Sequence, residues 1–157
     1  MEDAGLQYDF VQDNHSSSTV KGTLRGIHFQ KGQWCQAKLV RCTRGAVLDV
    51  AVDLRPESPT YGQYETVLLS GENQKQFFVP RGFAHGFLVL SETTTFFYKC
   101  DNFYAPESEG ALAWDDPDLG IDWRIPAAKV ILSEKDRHHP CLKDACDWFD
   151  YNVNLYE

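Results

Sequence analysis

A chain of 157 residues, 43% hydrophobic and 24% charged, has the size and apolar content of one folded domain, expected over residues 1–157. Its net charge of −8 argues against sequence-independent binding to nucleic acid or to anionic membranes, although a small anionic ligand responds to local charge and is not excluded. The sequence has no apolar run of membrane-spanning length and no basic or apolar leader, so we expect a cytoplasmic protein.

The cysteines indicate reduced thiols. Their number is odd and no Cys-x-x-Cys pair occurs, which fits neither a disulfide framework nor a structural zinc site. They are Cys35, Cys42, Cys100, Cys141 and Cys146.

From Thr23 onward, short β-prone runs alternate with turn residues. The predicted strands after this first run are 38–42, 46–54, 65–69, 76–79, 86–90 and 93–99, with turns at 43–45, 57–59, 70–73 and 80–82. In the run 46–54, apolar residues alternate with Asp49 and Asp53, which fall on the opposite face. Many short strands without long helices between them predict an all-β fold, an antiparallel jelly roll or β-sandwich.

The pattern changes after Tyr104-Ala105-Pro106. Asp, Pro and Gly dominate through Pro126, and we expect this part to be an ordered loop that packs on the barrel. Ser133 to Asp136 is typical of a helix start, and Leu142, Ala145, Cys146 and Phe149 recur at helical spacing. A short C-terminal helix is therefore predicted.

The most informative segment is Gly22 to Gln30, because it holds Arg25, Gly26 and His28 within four residues. In a regular strand, Arg25 and His28 would point to opposite faces. A glycine inside a strand often marks a bulge, and one extra residue at Gly26 would turn both side chains to the same face. The segment then offers a base beside an anion site, whereas a lone strand histidine is more often a packed residue.

A second histidine motif, Pro80-Arg-Gly-Phe-Ala-His85-Gly-Phe87, resembles the second motif of the cupins. Metal-binding cupins also need a first motif with two histidines one residue apart and a glutamate. Only His28 is present at that place, so we expect no catalytic metal. His138 and His139 are adjacent and are interpreted as surface residues.

Four other side chains have both a chemical and a structural interpretation. Lys38 lies in a half-buried run, where a lysine needs a partner or a ligand, and it is a candidate clamp for an anion or an enolate. For Tyr98 and Tyr104 the structural interpretation is strong, since tyrosines in strands are usually core or cross-strand residues. Asp136 could close a capping box with Ser133.

The order of these motifs resembles the dTDP-4-dehydrorhamnose 3,5-epimerase family from about Phe10 to Asp136. The resemblance implies a cupin jelly roll, no metal or organic cofactor, and a homodimer built partly by strand exchange. The matching segments are Gln12-Asp13-Asn14, Leu24-Arg25-Gly26-Ile27-His28-Phe29-Gln30, Lys38-Leu39-Val40-Arg41, Phe83-Ala84-His85-Gly86-Phe87, Tyr98-Lys99, Tyr104-Ala105-Pro106-Glu107, Asp115-Asp116-Pro117 and Leu132-Ser133-Glu134-Lys135-Asp136.

The resemblance also implies a role for each site residue. The family inverts C3 and C5 of dTDP-4-dehydro-6-deoxy-D-glucose. By resemblance His28 is the base, Asp136 orients it, Tyr98 is the acid and Lys38 lies near the C4 oxygen. The positions that match substrate contacts are Arg25, for the pyrophosphate, Tyr104, for the thymine, and Gln12, Asn14, His85, Glu109 and Lys135.

One family segment has no counterpart here. Family members usually carry Asp-x-Arg-Gly-x-Phe-x-Glu before the Gln-Asp-Asn region, and nothing similar precedes Gln12. Its absence leaves nucleotide affinity and dimer stability open, and the chain is a fragment, has a misplaced start or is a shortened form with reduced activity. A single epimerase acting at C3 or C5 in another deoxysugar pathway, a non-catalytic dTDP-sugar-binding cupin and, more distantly, a metal-dependent cupin oxygenase are the alternatives.

Overall fold

The computed structural model describes residues 9–144 and residue 155. Within these residues the chain is almost entirely β-structure, interrupted by single turns of 3-10 helix. The strands are β1 (Gln12–Ser18), β2 (Thr23–Gln30), β3 (Lys38–Arg44), β4 (Ala46–Asp53), β5 (Tyr64–Ser70), β6 (Gln76–Val79), β7 (Phe83–Val89), β8 (Thr94–Cys100), β9 (Glu109–Ala111) and β10 (Ile131–Leu132). The 3-10 turns are Gly32–Trp34, Pro106–Ser108, Ala127–Lys129, Lys135–Arg137 and Leu142–Asp144.

The predicted strands between residues 38 and 100 are all present, with somewhat shifted ends. The predicted helix start near Ser133 is a 3-10 turn, Lys135–Arg137, and Leu142, with which the predicted C-terminal helix starts, lies in the 3-10 turn Leu142–Asp144. Ala145, Cys146 and Phe149, on which that helix depends, lie outside the described residues. None of the described helices has the length and apolar character that a bilayer crossing requires.

The strands form two facing sheets. One has the order β1-β8-β3-β6, and the other has the order β10-β2-β7-β4-β5, with β9 also paired to β2. All pairs are antiparallel except β10 with β2. Buried side chains from both sheets meet between them: Val40, Cys42, Val47, Leu69, Val89 and Phe96. The predicted antiparallel jelly roll is therefore confirmed.

The apolar face of β4 is covered from outside the sandwich. Leu48, Val50 and Val52 are fully buried against a second core, to which the long loop contributes Leu112 and Trp123. The predicted loop that packs on the barrel is confirmed. Because both faces of β4 are covered, the two aspartates of this strand are buried as well, and one of them reaches the space between the sheets.

Strand β1 is absent from the sequence prediction, because its residues, Gln-Asp-Asn-His-Ser-Ser-Ser, are polar and have low β propensity. Its ladder with β8 is nevertheless regular from Gln12, opposite Cys100, to Ser18, opposite Thr94. An edge strand needs only one partner and can expose the other edge to solvent. Here the neighbouring strand, and not the local pattern, determines the conformation.

Asp53 at the end of β4 organises the next loop. Its carboxylate accepts hydrogen bonds from the backbone and guanidinium of Arg55 and from the hydroxyls of Ser58 and Thr60. Burial of Asp53 acts to raise its pKa, but these donors outweigh burial and lower the pKa to about 2.

We expect Asp53→Asn to lower the free energy of unfolding by about 2 kcal/mol at pH 7. Because the pKa is depressed in the folded state, this contribution is complete above the unfolded pKa, near 4, and is lost as the pH falls through about 2. Urea unfolding measured from pH 7 to pH 2.5 should show the two proteins converging at low pH. Asp13→Asn, which removes an exposed carboxylate, is the control. A difference that is constant with pH would contradict the assignment.

Candidate active site

The register of the first sheet presents a set of polar side chains on its inner face. Tyr98 lies opposite Asn14 and Val40, and Cys100 lies opposite Gln12 and Lys38. Since alternate residues of a strand share a face, these rows point into the sandwich together with buried Phe96. The outer face carries the intervening row, in which Phe97 lies opposite His15 and Arg41.

Lys38 and Tyr98 contact each other on this inner face. The Lys38 ammonium lies 5.4 Å from the centroid of the Tyr98 ring. Burial lowers the pKa of Lys38, partly offset by the nearby carboxylates of Asp49 and Glu109. Burial also raises the pKa of Tyr98, so its phenol keeps its proton at neutral pH. The pair thus places a poorly solvated amine beside a protonated phenol.

The facing sheet contributes Arg25 and His28 through an irregularity in β2. The pairing with β7 shifts register between these two residues, and Gly26 has φ +131°. A Cβ at Gly26 would lie 2.7 Å from the Cα of Gly86, so only glycine fits this close approach. Arg25 and His28 line the same cavity, which confirms the prediction that a bulge at Gly26 turns both side chains to one face.

His28 forms a dyad with Asp136. Its Nε2 lies 2.9 Å from Oδ1 of Asp136, and the backbone N–H of Gly26 donates to Oδ2 at 3.3 Å. Burial acts to raise the pKa of Asp136, but hydrogen bonds from His28 and His139 outweigh it and hold that pKa far below its usual range. An ionised carboxylate can only accept hydrogen bonds, so Nε2 of His28 carries a proton. In neutral His28, Nδ1 therefore carries the free lone pair.

The side chain of Asp136 does not close the capping box that its spacing with Ser133 suggested. The backbone N–H of Asp136 donates to the Ser133 hydroxyl at 3.2 Å, while its carboxylate turns to His28, His139 and Gly26. The alternative interpretation of Asp136 as a capping side chain is therefore wrong.

Glu109 on β9 lies on the other side of the His28 ring. Its Oε1 is 3.1 Å from Nδ1 of His28, but the two groups are not oriented for a hydrogen bond. Nδ1 is buried and has no hydrogen-bond partner among the described residues. Oε2 accepts hydrogen bonds from Lys135 at 2.9 Å and Tyr104 at 3.0 Å. Burial opposes ionisation of Glu109, yet these donors and His28 lower its pKa. If Nδ1 of His28 were protonated, the Glu109 carboxylate would stabilise the positive charge of the imidazolium.

A second histidine–aspartate pair lies deeper. Nε2 of His85 is 2.7 Å from Oδ1 of Asp49, and these side chains are 5% and 0% exposed. Burial raises the pKa of Asp49. Oδ2 of Asp49 has no hydrogen-bond partner in the described residues. The alternation of its strand predicts Asp49 on the face away from the apolar residues, and no motif indicates a role for it.

Two cavities, of about 270 and 370 Å³, share His28, Lys38 and Tyr98. Every residue that the sequence predicts for the site lines at least one of them. The smaller cavity adds Gln12, Asn14, Tyr104 and Glu109, and the larger one adds Arg25, His85, Lys135 and Asp136. A further cavity of about 390 Å³ lies beside Phe97 and contains neither His28 nor Lys38. The shared cavities are the candidate active site.

One sequence interpretation needs correction. His138 is exposed and pairs with Glu134, as expected of a surface residue, but the side chain of His139 is only 10% exposed and its Nε2 lies 2.9 Å from Oδ1 of Asp136. His28, Asp136 and His139 thereby bring three possible metal-ligand atoms within 4.8 Å of one another. In this structure both imidazoles are engaged with the carboxylate. Adjacent histidines give no sequence signal for which of them turns inward.

The comparisons with known proteins agree with this architecture. Residues 1–144 match the sequence model described as dTDP-4-dehydrorhamnose 3,5-epimerase. A dTDP-4-dehydrorhamnose 3,5-epimerase of Escherichia coli (strain K12) is 54% identical over 132 residues, which cover 84% of this chain and 70% of that protein.

Solved structures resemble the chain over most of its length. A dTDP-4-dehydrorhamnose 3,5-epimerase from Elizabethkingia anophelis NUHP1 is 60% identical, with a TM-score of 0.87, over 91% of this chain and 78% of that one. A dTDP-6-deoxy-D-glucose-3,5-epimerase from Legionella pneumophila Philadelphia 1, in complex with dTDP-4-keto-L-rhamnose, is 48% identical, with a TM-score of 0.90, over 97% of this chain and 80% of that one.

Proposed function

The chain belongs to the dTDP-4-dehydrorhamnose 3,5-epimerase family, a family of isomerases, and we propose that it inverts C3 and C5 of dTDP-4-dehydro-6-deoxy-D-glucose to give dTDP-4-dehydro-L-rhamnose. The main support for this proposal is the position of the proposed base and acid. The base His28 lies on β2 and the acid Tyr98 lies on β8 of the facing sheet, and both line the same two cavities. Inversion needs a base and an acid on opposite sides of one carbon.

His28 removes the proton. C3 and C5 both flank the C4 ketone, so loss of either proton gives an enolate. Since Nε2–H is held by Asp136 at 2.9 Å, the lone pair that accepts the proton is on Nδ1, and the substrate must displace Glu109 to reach this buried nitrogen. Asp136 fixes the ring and its tautomer and stabilises the imidazolium, which is the role of the carboxylate in a His–Asp pair. Glu109, 3.1 Å from Nδ1, stabilises the same charge.

Lys38 stabilises the enolate. Burial lowers the pKa of Lys38, and a negative oxygen at C4 would favour its ammonium form by supplying a counter-charge. The neighbouring His85 is held by Asp49 at 2.7 Å and lines the larger cavity with Lys38. We assign His85 to contact with the sugar.

Tyr98 returns a proton from the opposite side. Its raised pKa favours the protonated phenol that a general acid requires, and the ammonium of Lys38 over its ring would stabilise the phenolate that remains. Each inversion is then balanced: His28 gains one proton, Tyr98 gives one, and solvent restores both groups.

The remaining predicted residues contact the nucleotide part of the substrate. Arg25 is exposed and lines the larger cavity, where a guanidinium can bind the pyrophosphate in a bidentate way. Tyr104 is 55% exposed at the smaller cavity, which leaves its ring available to stack on the thymine. Gln12, Asn14 and Lys135 are further contacts. The homodimer and the cytoplasmic location stay predictions.

The test is incubation of the protein with dTDP-4-dehydro-6-deoxy-D-glucose in D₂O, followed by NMR of the C3 and C5 protons. We expect deuterium at both carbons and formation of the L-sugar. Exchange at one carbon would identify a single epimerase. Binding of dTDP without any exchange would identify a non-catalytic sugar-nucleotide binder.

A further inference from the structure

His139 is a half-buried histidine that the proposed mechanism does not use. The Nε2 atoms of His28 and His139 both lie 2.9 Å from Oδ1 of Asp136. We propose that His139 is a positioning residue that shares the carboxylate of Asp136 with His28 and so weakens His28 as a base. This inference rests on the proposed function, because it concerns the residue that would remove the proton.

The carboxylate of Asp136 is shared between the two histidines. Asp136 is ionised, so both Nε2 atoms must donate to Oδ1, while Oδ2 accepts the backbone N–H of Gly26. An oxygen that already accepts a second hydrogen bond is less basic toward the first donor. His28 therefore receives less stabilisation of its imidazolium from Asp136 than it would from an unshared carboxylate.

Direct contact between the two rings adds to this effect. Their centroids are 5.6 Å apart and the ring planes meet at 83°, edge to face. A positive charge on one imidazole disfavours a positive charge on the other at this distance.

The segment that carries His139 is anchored independently of the dyad. The carbonyl of Pro140 accepts the N–H of Ala113 at 2.9 Å, and the N–H of Leu142 donates to the buried carboxylate of Asp116 at 2.6 Å. These bonds hold the backbone that directly follows His139. The imidazole is therefore presented to Asp136 by the fold, and the dyad does not have to order it.

Other charged or titratable groups line the cavities around His28, on β2, β3, β7, β8, β9 and the segment after β10. They are Arg25, Lys38, His85, Tyr98, Cys100, Tyr104, Glu109 and Lys135, where Tyr104 lies in the loop after β8. All of them are unchanged in a His139 variant. A difference between the pH profiles of wild type and variant therefore reports on His139.

The test compares His139→Leu, which removes the donor and the charge, with His139→Gln, which keeps an N–H donor but cannot titrate. In His139→Leu the acid limb of the kcat/KM profile should move to higher pH by about 1 unit, because an unshared Asp136 favours protonated His28. His139→Gln should move it less. His138→Leu, which removes the exposed neighbour, should leave it in place. Equal profiles for wild type and both His139 variants, or an equal shift in His138→Leu, would overturn the proposal.

A second readout does not depend on turnover. The ring of His28 is titrated by NMR in wild type, His139→Leu and His139→Gln, and its titration midpoint should rise in His139→Leu. Coincident curves would overturn the shared carboxylate. If wild type neither exchanges nor inverts the substrate, the proposed function fails, and the NMR shift still decides whether His139 competes for Asp136.

Discussion

Asp136→Asn is expected to lower kcat about 10³-fold or more, the largest loss that we predict for a residue beyond contact with the substrate. The asparagine amide can turn its NH₂ group toward His28, and Nε2 would then accept a hydrogen bond. That arrangement puts the proton on Nδ1 and removes the lone pair that the reaction needs. Kinetics of deuterium exchange at C3 and C5 measure the effect directly.

Stability should change much less. Loss of charge-assisted hydrogen bonds from His28 and His139 costs about 1 to 3 kcal/mol, and the chain should stay folded at 25 °C by circular dichroism. The matched control is Glu134→Gln, which changes an exposed carboxylate two residues away and should keep full activity. If Asp136→Asn loses its fold in step with its activity, the residue has a structural role.

Tyr98→Phe is expected to separate proton exchange from inversion. His28 would still remove the proton, exchange it with solvent and return deuterium to the same side of the carbon. Inversion should fall about 10² to 10⁴-fold, whereas exchange with retained configuration persists. NMR in D₂O distinguishes the two products, and dTDP affinity should stay close to wild type because the ring is preserved.

The control for Tyr98→Phe removes another tyrosine hydroxyl. Tyr64 on β5 donates from its hydroxyl to the carbonyl of Gly120, and it lines neither site cavity. Tyr64→Phe should leave both exchange and inversion unchanged. Unchanged inversion in Tyr98→Phe would remove Tyr98 as the acid and direct attention to another protonated group of the cavity.

Prediction of the fold from sequence worked where local pattern and tertiary structure agree. The alternation in β4 and the turn residues between short runs were enough for an all-β sandwich. The same reasoning omitted β1, since seven polar residues become a strand only through their ladder with β8. It also gave Asp49 no role, although burial on both faces of β4 places this carboxylate against His85.

For the site, too, the sequence predicted one part and the tertiary structure decided the other. The order of motifs identified the family, and every residue carried over by that resemblance lines the two cavities. The two adjacent histidines after Asp136 were indistinguishable by sequence, and the structure turns one outward to Glu134 and the other inward to Asp136.

The sequence by itself determined the strand-forming segments, the family and the residue types available for proton transfer, because these depend on local alternation and on motifs read in order. Only the tertiary structure decided which groups meet. Gly26 and Asp136 are 110 residues apart in the chain, and they touch because β10 pairs with β2 and carries the following turn to the dyad. Distances between side chains, burial and the resulting pKa shifts arise from such long-range contacts, and no local pattern encodes them.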